Sequence, residues 1–132
     1  ACNDELNLIV ASGNYGWGPR ANCDTPPNPP RNTNRDGNDP ILPKLWYTPT
    51  IAPTGVVFCD ACGLGEARKD DLFFGSFNTG TIHEVTLGAN RAGVANQTIA
   101  YQHSQPVLSL ETGPKGAIYF SDSEGIYRLK VG

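Results

Sequence analysis

Two histidines, four cysteines and one run of alternating oxygen-bearing side chains are the groups in this 132-residue chain whose types and spacing could do chemistry. His83 lies inside the alternating run Ile82-His83-Glu84-Val85-Thr86-Leu87, and His103 stands beside a turn. Neither has a serine, cysteine or carboxylate at a spacing that defines a nucleophile and its base, an arrangement recognised in space and not by position. Both are expected to be structural or solvent-facing. Cys59-Asp60-Ala61-Cys62 has C-x-x-C spacing. Thiol–disulfide exchange would want the first cysteine at a helix N-terminus, where the dipole lowers its pKa. Gly63 and Gly65 follow at once and oppose a helix. Zinc would want a second close pair, which is missing. A small local disulfide is therefore expected, with Cys2 left to pair with Cys23 around the Tyr15–Trp17 segment. Four cysteines allow three pairings, and the sequence alone does not choose among them.

Asn32-Thr33-Asn34-Arg35-Asp36-Gly37 places oxygen donors at alternate positions before a glycine, the first half of a calcium loop. Asn32, Asn34 and Asp36 are the candidate ligands. The bidentate Glu such a loop needs at its twelfth position is Pro43, and Arg35 adds positive charge, so a plain Asx-rich turn competes with this reading. Asn96-Gln97-Thr98 is an N-glycosylation acceptor sequence, with Asn96 as its site. Tyr15, Trp17, Trp46 and Tyr47 could stack on the apolar face of a sugar, although packing between strands is the commoner use of such rings.

Something must position these groups, and composition limits what it can be. Gly and Pro together make up 26 residues, 15 and 11 of them, which interrupts the chain too often for long helices. A net charge of −3 and a pI near 5.2 leave no electrostatic footprint for nucleic acid or an anionic membrane. No apolar run approaches the roughly 20 residues a membrane span requires. The chain starts at Ala1 and has no methionine, so a processed or excised product is expected. An even cysteine count and the acceptor sequence suit a secreted, periplasmic or extracellular setting.

Nine of the eleven prolines fall between Pro19 and Pro53, among many asparagines, and residues 19–53 read as a long Pro/Asn-rich loop. From residue 55 onward, short β-branched and aromatic runs alternate with turn signals. Val56-Val57-Phe58, Leu72-Phe73-Phe74, Ile82 to Leu87, Ile99-Ala100-Tyr101, Val107 to Leu110, Ala117 to Phe120 and Ile126 to Leu129 are expected strands. Two pairs also repeat. Asp71 to Ser76 aligns with Ala117 to Asp122 at an offset of 46, and Ile82 to Leu87 with Ile126 to Val131 at 44. A period near 45 with a strand, a glycine turn and another strand suits a four-stranded propeller blade. The expected fold is all-β: one partial β-propeller domain over residues 1–132, of about three four-stranded blades, with a β-sandwich as the competing architecture.

Four ordered motifs, Cys2-Asn3-Asp4-Glu5-Leu6-Asn7 leading to Asn14-Tyr15-Gly16-Trp17, Thr50-Ile51-Ala52-Pro53-Thr54-Gly55, Asp71 to Gly80, and Gly113-Pro114-Lys115-Gly116-Ala117-Ile118-Tyr119, resemble the glucose/sorbosone dehydrogenase family. Their order matches the C-terminal portion of that family across nearly the whole chain. The resemblance implies a six-bladed, typically secreted propeller that oxidises sugars with pyrroloquinoline quinone (PQQ) held by calcium. It places the catalytic histidine and most calcium ligands outside the portion matched. Within it, Thr50 keeps a cofactor-side threonine, whereas the expected lysine aligns with Asn78 and the expected arginines with Pro106 and Leu108. Arginine and lysine are what a tricarboxylated quinone needs, so the resemblance implies an eroded cofactor site.

Two functions follow as expectations. The first is part of a quinoprotein sugar dehydrogenase; the second is a non-catalytic extracellular propeller used in binding or assembly. Open sheet edges are avoided in nature. The partial ring is therefore expected to be completed by further blades, by a second chain or by self-association.

Overall fold

The computed structural model describes residues 4–15 and 41–132. The chain forms two compact units, Ala1–Ile51 and Ala52–Gly132. In the first, β1 (Asp4–Leu6) pairs antiparallel with β2 (Leu45–Tyr47), with Glu5 opposite Trp46. Tyr15 ties down the segment after β1: its hydroxyl donates to Leu8 O at 3.0 Å and accepts from Val10 N at 2.5 Å. Strand β2 falls inside the expected 19–53 loop and corrects it. Leu-Trp-Tyr is a strand-favouring triplet, and Pro43 and Pro49 bound it instead of interrupting it. Residues 19–40 of that loop lie outside the described residues.

The second unit holds two antiparallel sheets. Strands β3 (Pro53–Phe58), β4 (Leu72–Ser76), β5 (Thr81–Leu87) and β6 (Val94–Gln102) lie side by side in chain order, as do β7 (Ser109–Thr112), β8 (Ile118–Ser121) and β9 (Ile126–Arg128). The hairpins β4–β5 and β8–β9 are the two repeats visible in the sequence. Among the described residues the sheets have two, four and three strands, where about three four-stranded blades were expected. Pro53 opens β3, a position where proline's missing N–H costs little. Strand β7 starts later than the run Val107 to Leu110 suggests. The amides of Val107 and Leu108 are used in cross-links, donating to Ser76 O at 3.3 Å and Ser121 O at 2.8 Å.

The core lies between these two sheets. Phe73, Ile82, Val107, Leu110 and Ile118 are completely or almost completely buried, and every residue of β4 is buried. Burying each large apolar side chain contributes about 1.5–3 kcal/mol. The bulge between Thr54 and Val56 carries Gly55 at φ +38°, and a side chain there would collide with the backbone of Leu110. Glycine therefore lets β7 lie directly against β3. Thr54 Oγ1 adds a bond to Val107 O at 2.9 Å. The expected local disulfide is present between Cys59 and Cys62, both buried. Cys2 and Cys23 lie outside the described residues. Among the described residues no helix is long and apolar enough to cross a membrane.

Candidate functional site

At one end of the second unit three connections converge: the turn of residues 77–80 between β4 and β5, the loop 103–108 after β6, and the turn 122–125 between β8 and β9. Backbone bonds hold them together. His103 N donates to Gly80 O at 2.8 Å, and Gly80 N to Ser76 O at 3.2 Å. Gly80 has φ +65°, and a Cβ there would meet Gln105 O at 2.7 Å and His103 O at 2.9 Å, so any side chain would strain this crossing and force the backbone to shift.

His103 bridges the sheets. Its Nε2 donates to Asp122 Oδ2 at 2.7 Å, with both side chains nearly buried. Asp122 Oδ1 accepts from Glu124 N at 2.7 Å and Gly125 N at 2.8 Å, so this carboxylate also closes the β8–β9 turn. The His103 bond, foremost, and these amides push the Asp122 carboxyl down to about 2. A carboxylate held this way fixes the imidazole's orientation by accepting from Nε2. Tyr101, Phe120 and Tyr127 surround the ring, Phe120 edge-on at 5.1 Å and Tyr127 at 5.1 Å.

A second polar group lies within the four-stranded sheet. His83 is buried, stacks flat on Phe74 at 4.6 Å, and bonds to Thr81 Oγ1 and Gln97 Nε2, each at 2.8 Å. Burial lowers its pKa and keeps the ring neutral. The expectation of structural histidines describes His83 well. For His103 it missed the Asp122 partner, whose only local signal is the turn Asp122-Ser123-Glu124-Gly125.

The charges of this unit are segregated. Arg68 and Lys69 lie between β3 and β4, Arg91 between β5 and β6, Lys115 between β7 and β8, and Arg128 and Lys130 at and beyond the end of β9. All of these are at the opposite end from the converging turns. Arg68 there bonds both Glu84 carboxylate oxygens, at 3.1 and 3.2 Å. The converging end exposes Glu124, Asn78 and Thr79, with Phe77 and Leu108 exposed beside them, while His103 and Asp122 are committed to each other beneath. This donor set suits an uncharged, hydroxyl-bearing ligand. By itself it does not fit a tricarboxylate, because no Lys or Arg of the second unit stands at this end.

Thr50 is half-buried between β2 and β3 and belongs to the first unit. Trp46 is exposed, and burial pushes the Tyr47 hydroxyl up to about 12. Asn96 and Thr98 are both exposed on β6, the outer strand of its sheet. Trp17, Asn32, Asn34 and Asp36 lie outside the described residues. No cluster of three or more His, Cys, Asp or Glu side chains able to hold a metal occurs among the described residues.

The family model for glucose/sorbosone dehydrogenase matches residues 1–129. The chain belongs to the glucose/sorbosone dehydrogenase family. The uncharacterised protein slr1608 of Synechocystis sp. is 30% identical over 120 residues, which is 88% of this chain and 28% of that protein. A solved Thermus thermophilus protein assigned as an oxidoreductase (glucose dehydrogenase) is 25% identical, with a TM-score of 0.63 over 89% of this chain and 31% of its own. A solved glucose dehydrogenase shares the fold at 21% identity, with a TM-score of 0.69 over 90% of this chain and 34% of its own. The chain thus spans about a third of the length of the relatives it matches. Asn78, Pro106 and Leu108, the positions where the resemblance implies cationic residues, all lie at the converging end.

Proposed function

We propose that the intact protein is a sugar-oxidising β-propeller of which this chain forms about three blades, the converging end of the second unit being part of the sugar-facing wall. One observation carries this reading: the family match runs over residues 1–129. The donor set supports it, since hydroxyls, an amide and a carboxylate bond sugar hydroxyls while Phe77 and Leu108 offer apolar faces to sugar C–H groups. PQQ with calcium is the oxidant the resemblance implies. Thr50 is the one retained cofactor-side residue of this chain, and Asn32, Asn34 and Asp36 are its candidate calcium ligands. Cationic partners for the quinone carboxylates would come from the rest of the protein. A secreted or periplasmic location, with a glycan on Asn96 where the host adds one, accords with the Cys59–Cys62 disulfide.

The charge segregation favours a second reading, a propeller that binds or assembles without the quinone. Equilibrium dialysis of PQQ against the intact protein, with and without calcium, separates the two. Saturable binding supports the dehydrogenase; no binding leaves the second reading.

A further inference from the structure

We propose that His83 is a positioning residue for the turn 77–80, heading a one-way line of hydrogen bonds that fixes the groups flanking Asn78. The direction follows from donor chemistry. The Gln97 side-chain nitrogen can only donate, so Nδ1 of His83, 2.8 Å away, is an acceptor. The buried ring is neutral and carries its single proton on Nε2. Nε2 therefore donates to Thr81 Oγ1 at 2.8 Å. The Thr81 hydroxyl then has its own proton to give to Thr79 Oγ1 at 2.6 Å, and Thr79 gives its proton to Ser76 Oγ at 2.7 Å. Ser76 closes the turn from beneath: Oγ accepts the Thr79 amide at 3.3 Å and its carbonyl accepts the Gly80 amide at 3.2 Å.

Ser76, Thr81 and His83 are all buried. Hydroxyl rotors in such a place have few alternatives, and each bond in a line polarises the next. A phenyl ring at position 83 would stack on Phe74 as well as the imidazole does, so packing alone does not call for nitrogen there. The line runs from the outer strand β6 through β5 into the turn that bears Asn78. The inference rests on the sugar-wall reading only in giving the turn a purpose; the line itself is measured without any ligand, so either can fail alone.

The test is NMR on the isotope-labelled full chain. The imidazole 15N shifts of His83 should report a neutral ring protonated at Nε2. His83→Phe should speed hydrogen exchange of the Thr79 and Gly80 amides about tenfold, the scale of one lost hydrogen bond, while the Phe73 and Ile82 amides change less. His83→Gln, which can accept and donate in the same sense, should restore much of that protection. If His83→Phe does not fold, Thr81→Val cuts the line in its middle and carries the same expectation. A ring protonated at Nδ1 would overturn the proposal. So would turn amides that are unchanged, or that speed up no more than those of the core.

Discussion

His103 and Asp122, 19 positions apart, meet at 2.7 Å and join the two sheets of the second unit at the end where three connections converge. The carboxyl of Asp122 is held far below its ordinary value, so its contribution to stability is present above about pH 4 and is lost as pH falls toward 2. Urea midpoints measured at pH 5, 3 and 2 should drop steeply for the natural chain, and Asp122→Asn should flatten that slope. An equal slope in both proteins would remove the pair from the acid response.

A second pH window belongs to His83. Burial lowers its pKa, so the unfolded chain takes up a proton before the folded one does. Stability should decline as pH falls below about 6.5, the ordinary histidine value. His83→Phe should abolish that decline. Persistence of the decline in the variant would assign it to another group.

Gly80→Ala should cost about 1–3 kcal/mol, since the position combines φ +65° with two carbonyls where the methyl would go. Gly88→Ala is the control: its added methyl would meet nothing closer than 3.7 Å. Thermal unfolding of both variants compares them directly, and equal midpoints would contradict the crossing geometry.

Phe73→Ala should cost about 3–5 kcal/mol, because the ring is completely buried in the core between the sheets. Ile126→Ala should change stability by less than about 0.5 kcal/mol, its side chain being 77% exposed. Chemical denaturation of the two variants would expose any error in where the core lies.

Replacing both Cys59 and Cys62 by alanine should destabilise by on the order of 2 kcal/mol, the loop-closure scale for so short a ring. A larger loss would mean that the loop also braces the β7–β8 turn, where Gly116 approaches Ala61 O. Calorimetry on the variant measures the difference.

The hairpins β4–β5 and β8–β9 were legible in the sequence because their information is local: strand-favouring runs flanking a turn with glycine, repeated at nearly one offset. Strand β2 was hidden, since its reason to be extended is Asp4–Leu6, far away in the chain, and the prolines around it pointed to a loop. The His103–Asp122 bond was hidden for the same reason. It depends on two sheets packing, which no spacing rule encodes. Asn78, Pro106 and Leu108, where the resemblance implies cationic residues, could be named from the sequence. Only the topology revealed that every Lys and Arg of the second unit stands at the opposite end.

The most direct measurement is the initial rate of dye-coupled oxidation of a panel of aldoses by the intact protein, reconstituted with PQQ and calcium. Quinone-dependent turnover of at least one sugar is the expected result. No turnover, together with no quinone binding in dialysis, would contradict a sugar-oxidising role and leave a propeller that only binds or assembles.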